Sequence, residues 1–106
     1  MNEKKSSVDL LEKGTNLCLF LTKEKEETAL TPRLFDAICT LSECCYSLSN
    51  PALSKTELSA LRKSASLEAD KVTLYLEALC IGGSISPAQK ESMSKTLEAL
   101  KKETNI

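Results

Sequence analysis

The sequence has no histidine and no tryptophan, and aromatic residues make up only 4% of it. The first absence removes the commonest general base and the commonest metal ligand. The scarcity of rings leaves little material for a platform on which nucleic-acid bases stack. Long apolar runs are missing too: the longest is Leu17-Cys18-Leu19-Phe20-Leu21, against the roughly 20 residues that span a bilayer. No membrane helix is expected. The start, Met1-Asn2-Glu3-Lys4-Lys5-Ser6-Ser7, leads into no apolar stretch long enough for a signal-peptide core, so a cytoplasmic protein is expected. Neither sign of charge is in excess. Fourteen Lys and Arg stand against fifteen Asp and Glu, a net charge of −1, so bulk charge does not draw polyanions and any phosphate contact has to be local.

What is present fits one domain. A chain of 106 residues, 42% hydrophobic and 27% charged, has the length and composition of a single globular unit over residues 1–106. Its five cysteines, Cys18, Cys39, Cys44, Cys45 and Cys80, are an odd number without a secretory signal, which argues against a disulfide framework. No Cys-x-x-Cys pair occurs, and Cys39-x4-Cys44-Cys45 without His lacks the spacing of a tetrahedral zinc site. Reduced thiols buried as small apolar side chains are expected, with no metal and no cofactor.

Capping signals divide the chain into four helices. Ser6-Ser7-Val8-Asp9 reads as a capping box opening helix 1 over about residues 7–24, in which a Ser hydroxyl and an acid three residues later satisfy free backbone N–H groups. Val8, Leu11, Cys18 and Leu21 keep helical spacing, and Leu10, Leu17, Leu19 and Phe20 widen the apolar stripe nearly all round the last turns. Gly14 inside this helix costs roughly 1 kcal/mol relative to Ala, so either packing is tight there or the helix is locally weak. After the charged turn Lys23-Glu24-Lys25-Glu26-Glu27, Thr31-Pro32 supplies an N-cap and a first-turn proline for helix 2, about residues 32–49. Leu34, Ile38, Leu41, Cys45 and Leu48 lie on one face of it, and Asn50-Pro51 stops it. Ser54-Lys55-Thr56-Glu57 opens helix 3, about residues 55–81, which ends at Gly82-Gly83. Its stripe Leu58, Leu61, Ala65, Val72, Leu76 and Leu79 is accompanied by Leu67, Leu74 and Ile81, spaced by sevens on a neighbouring stripe. Ser86-Pro87-Ala88-Gln89 opens helix 4, about residues 87–103, with Met93, Leu97 and Leu100 inward and Asn105 and Ile106 expected to fray.

Four helices joined by short turns prefer antiparallel neighbours, giving an all-α, up-down-up-down four-helix bundle. A lone bundle needs one inward stripe per helix, so the surplus on helices 1 and 3 points to a homo-oligomer or a permanent partner covering Leu17, Leu19, Phe20, Leu67, Leu74 and Ile81. The alternative is that these stripes pack against both neighbours inside one bundle. Acid pairs such as Glu68 and Asp70 lack a companion nucleophile or metal pattern, and Gly82-Gly83 follows a helix where a phosphate loop follows a strand. No enzyme is expected. Arg33 and the pair Arg62-Lys63 are the best placed cations for phosphate contacts, set against ordinary surface pairing.

Several stretches resemble a known family. Leu30-Thr31-Pro32-Arg33-Leu34, Leu58-Ser59-Ala60-Leu61-Arg62 and Ala78-Leu79-Cys80-Ile81-Gly82-Gly83-Ser84-Ile85-Ser86 are similar to segments of the four-helix-bundle proteins that include the 23S rRNA intervening-sequence proteins and the accessory variability determinant of diversity-generating retroelements. The likeness runs over about residues 10–103. It implies a cyclic homo-pentamer that binds a reverse transcriptase and RNA or DNA through basic residues, and a non-enzymatic accessory or scaffold role. The other class of function is a protein–protein adaptor, chaperone or inhibitor that docks its partner on an apolar helix face and binds no nucleic acid.

Overall fold

The computed structural model describes residues 2–24 and 28–106, with side chains from residue 7 onward. Four helices follow in order: α1 (Asn2–Lys23), α2 (Leu30–Ser47), α3 (Lys55–Ile81) and α4 (Pro87–Thr104). No strand occurs among the described residues. Each helix packs against its two neighbours in a ring, α1 on α2, α2 on α3, α3 on α4 and α4 on α1, with the α2–α3 seam the most extensive and α3–α4 the slightest. Cross-links fix the directions. Ser42 Oγ, late in α2, donates to the carbonyl of Ser7, early in α1, at 3.4 Å. Tyr46 and Ser47 at the end of α2 line a groove with Glu57 and Ala60 at the start of α3. Lys90 Nζ at the start of α4 donates to Glu77 Oε1 near the end of α3 at 2.6 Å. Consecutive helices are therefore antiparallel, and the bundle is up-down-up-down. The molecule is 44 Å long, close to the roughly 40 Å of the 27-residue α3.

The two capping boxes of the second half form as the sequence predicts. Ser54 Oγ accepts from the Glu57 N–H at 3.1 Å while Glu57 Oε1 accepts from the Ser54 N–H at 2.9 Å. Ser86 and Gln89 repeat the exchange at 3.1 and 2.7 Å. The end of α3 is a Schellman motif: Ser84 N–H donates to the Leu79 carbonyl, Gly83 N–H donates to the Cys80 carbonyl, and Gly83 takes φ +83°, a conformation that a Cβ disfavours. At the end of α4, Asn105 adopts the left-handed conformation, φ 62°, and Ile106 N–H donates to the Lys101 carbonyl. The terminus expected to fray is therefore a second αL cap, with Ile106 packed against the core.

The first half departs from expectation at its caps. Helix α1 does not start at Ser6-Ser7 but runs back to Asn2, because Glu3, Lys4 and Lys5 are good helix formers and nothing among them breaks the turn. The Ser6 side chain lies outside the described residues. Helix α2 begins at Leu30, two residues before the expected start, with Ala29 as an N-cap that offers no side-chain bond. Pro32 still falls in the first turn, where its missing N–H costs nothing. Thr28 does the capping instead: its Oγ1 accepts from the Leu30 N–H at 3.1 Å, and its own N–H donates to Thr31 Oγ1 at 3.2 Å. Of the charged turn, residues 25–27 lie outside the described residues.

The core is built from Leu10, Leu17 and Leu21 of α1, Leu34, Ala37, Ile38, Leu41 and Cys45 of α2, Ala65, Ala69, Val72, Leu76 and Leu79 of α3, and Met93, Leu97 and Leu100 of α4, with Ile85 closing the α3–α4 turn. Gly14 lies on the same inward face of α1. A Cβ built on it would come within 2.6 Å of Ile38 Cδ1, so tight packing, not local weakness, is what this glycine serves. The inward stripe of α1 is thus Leu10, Gly14, Leu17 and Leu21. Val8 and Leu11, read above as part of it, are exposed.

Candidate functional site

The apolar surface left over on α1 and α3 is unevenly distributed. Leu17 is a core residue at 7% exposure, whereas Leu19 is 62% and Phe20 41% exposed. Leu17 joins the core because it stands three residues after Gly14, on the inward face of α1 toward Met93 of α4. It therefore belongs to the interior and not to the outer surface on which the sequence reading placed it. On α3, Leu67, Leu74 and Ile81 are 56%, 63% and 79% exposed. They are not on a stripe neighbouring Ala65, Val72 and Leu79 but on nearly the opposite side of the helix, since two residues at 100° each carry one stripe about 160° away from the other. The α3 core stripe is complete without them.

A second apolar area, which the sequence reading missed as a unit, follows the α1–α2 seam. Val8 and Leu11 meet Cys39, Ser42 and Tyr46 in an open groove of about 370 Å³ with Glu43 at its edge. The signal for it was present in the odd placement of Val8 and Leu11, outside the register of Gly14.

The three candidate cations separate into two grooves. Arg33 lines the α2–α3 groove with Asp36, Thr40, Glu68, Lys71 and Tyr75. Two carboxylates therefore share its surroundings, and Lys71 Nζ already bonds Glu68 Oε2 at 3.2 Å. Arg62 and Lys63 line a groove of about 500 Å³ between the first half of α3 and the last residues, Asn105 and Ile106, together with Lys55, Ser59 and Ser66, and no acidic side chain is among its lining residues. The structure brings Arg62 and Lys63 together and leaves Arg33 apart from them, near carboxylates.

Of the cysteines only Cys45 is buried, and the other four are partly exposed. Desolvation pushes the Cys45 thiol up to about 11, against a smaller opposing effect of its contact with Thr104. Cys39 and Cys44 are raised as well, first by burial and then by nearby carboxylates. Low-pKa thiolates are what reactive cysteines require, and these three shifts run the other way. Among the described residues no group of three or more His, Cys, Asp or Glu side chains is placed to hold a metal ion, and no helix is long and apolar enough to cross a membrane. Comparison with known proteins finds no match to this chain among family models, curated proteins or solved structures.

Proposed function

We propose that this chain is a non-enzymatic helical scaffold that works as a homo-oligomer and holds a protein partner on an apolar helix face. One observation carries the reading: Leu67, Leu74 and Ile81 are turned to solvent on α3 while the core beneath is fully formed without them. Large apolar side chains that recur on the exposed face of a helix in a small domain, here with the core already complete, point to a contact surface. Protein docking is favoured over polyanion binding because Arg33 shares its groove with Asp36 and Glu68, and the subunit charge is −1.

A second reading has its own support. It is the role the resemblance implies, an assembly that grips a reverse transcriptase and RNA or DNA. No Asp or Glu side chain lines the groove of Lys55, Arg62 and Lys63, and repetition about a symmetry axis multiplies whatever positive field one subunit offers. Two measurements decide. Sedimentation at micromolar concentration gives a mass above that of the monomer under either reading, and a strict monomer overturns the first. Retention of single-stranded RNA at about 50 mM salt that weakens steeply with added salt, and is lost in Arg62→Glu plus Lys63→Glu, establishes the second. No retention at low salt removes it.

A further inference from the structure

We propose that the groove along the α1–α2 seam receives a basic amphipathic helix of a protein partner. The proposal rests on the docking reading above and gives the partner a chemistry and a place. Val8, Leu11, Cys39 and Tyr46 line the groove at one end, and all but Cys39 are exposed. Leu19 stands eleven residues after Val8, and Phe35 eleven residues before Tyr46. Eleven residues are close to three whole turns, so each lies in the row of its counterpart. Because α1 and α2 run antiparallel, the step that carries Val8 to Leu19 carries Tyr46 to Phe35. Leu19 and Phe35 are both exposed, and they extend the apolar strip to roughly 16 Å of helix.

Charge selects the occupant. Glu12 follows Val8 by one turn on the outer edge of α1, Glu43 edges the groove from α2, and Asp36 stands seven residues before Glu43 on the crest of α2. All three are exposed, and none has an ion-pair partner in the subunit among the described residues. Their field reaches the floor of the groove: the Cys39 thiol is raised first by burial and then by Glu43 and Asp36. The cations of α1 and α2 whose side chains are described lie elsewhere. Lys13 Nζ donates to Thr96 Oγ1 of α4 at 2.8 Å, Arg33 lines the α2–α3 groove, and Lys23 is the last residue of α1, beyond Leu19. An apolar strip of three turns between acidic edges fits a helix with apolar side chains at i, i+3 or i+4, i+7 and i+11 and with Lys or Arg on both flanks. A second copy is a poor match, because the exposed apolar row of α3 carries Asp70 and Glu77 beside its lysines.

The probe is a fluorescein-labelled peptide of Leu and Lys, about 18 residues or roughly 27 Å as a helix, with the leucines on one face. It is titrated with the full chain and followed by anisotropy, beside a peptide of the same composition whose leucines are scrambled off that face. The striped peptide is expected to bind at least about tenfold more tightly than the scrambled one. Its binding is expected to weaken about tenfold in Leu11→Ser and in Glu12→Lys plus Glu43→Lys, and to be unchanged in Leu67→Ser plus Leu74→Ser on α3, with thermal melts confirming that every variant is folded. In the wild-type chain the bound peptide is expected to slow maleimide labelling of Cys39 and not of Cys80, read by mass spectrometry. Equal binding of the two peptides, binding indifferent to the groove substitutions, or an unprotected Cys39 overturns the groove assignment. Binding lost only in the α3 variant overturns it too, and leaves the scaffold reading in place with α3 as the docking face. Groove variants that turn an oligomer into a monomer, with no peptide held by the wild type, make the groove a contact between copies and overturn the partner helix.

Discussion

Replacing Gly14 by alanine tests the packing of α1 on α2. A residue in mid-helix gains about 1 kcal/mol on going from Gly to Ala, so an isolated α1 would be stabilised. In the bundle the new Cβ falls 2.6 Å from Ile38 Cδ1 and 3.0 Å from Ile38 Cγ2. Ile38 has no solvent exposure, so its terminal methyl has no free space to enter, and interiors packed to crystal density give way only by shifting side chains or backbone. Overpacking of this kind costs about 1–3 kcal/mol, so Gly14→Ala is expected to destabilise by about 1 kcal/mol net. Ile38→Val removes the Cδ1 atom, at its own cost of about 0.5–1.5 kcal/mol, and leaves Cγ2 as the closest neighbour. In that background Gly14→Ala is expected to be neutral or stabilising. Urea unfolding of the four chains at one fixed protein concentration, followed by far-UV circular dichroism, gives the cycle. A coupling of at least about 1 kcal/mol in favour of the double variant is expected. Equal effects of Gly14→Ala in both backgrounds would refute the claim that the two helices touch through these atoms.

Two further outcomes follow from the caps and the buried thiol. Ser54→Ala and Ser86→Ala each remove a hydroxyl that accepts a first-turn N–H, so each is expected to cost about 1 kcal/mol in thermal or urea unfolding. They lie at opposite ends of the bundle, so the double variant is expected to show the sum. The Cys45 thiol, held up to about 11 by burial, stays protonated in the folded chain at pH values where the unfolded chain ionises at its ordinary 9.0. The unfolded state then binds fewer protons, so stability is level below pH 9 and falls as pH rises toward 11. Cys45→Ala is expected to flatten that slope in part, since Cys39 and Cys44 shift in the same direction. A slope unchanged by the substitution would show that Cys45 is not the residue responsible.

Much of the architecture is written locally, and what is local was legible. Ser54 and Glu57, Ser86 and Gln89, and Gly82-Gly83 set their boundaries through bonds spanning three to five residues, so α3 and α4 begin where the sequence places them. The start of α1 was not legible in this way. Ser6-Ser7-Val8-Asp9 carries the same residue types as a working box, but a capping box is an alternative to helix and forms only where the preceding residues leave the helix. Asn2 to Lys5 continue it instead. At α2 the capping hydroxyl came from Thr28, one turn before Pro32, because proline is accepted anywhere in the first turn and so marks the start only loosely.

Which apolar stripe faces inward is a harder question than where a helix ends, and α1 and α3 show what decides it. On α3 both Ala65-Val72-Leu79 and Leu67-Leu74-Ile81 recur by sevens, so the period alone does not choose between them. The residues between them do: Ala69 and Leu76 complete the first row, and both are buried, while Lys71 and Ala78 complete the second. A lysine in the row is tolerated at a surface or a weak interface and not in the centre of a monomer's core. On α1 the deciding residue is Gly14. Counting from it, Leu10, Leu17 and Leu21 stand at −4, +3 and +7 and are buried, while Val8, Leu11 and Leu19 fall outside that row and are exposed. A glycine on an apolar helix face fixes the register of the stripe because it permits the closest approach of a neighbour. The cations follow the same logic: Arg62 and Lys63 share a groove with Lys55 beside the last residues of the chain, Asn105 and Ile106, whereas Arg33 lines the α2–α3 groove that also holds Asp36 and Glu68. Sequence distance carries no information about which groove a side chain enters until the inward stripe of each helix has been assigned.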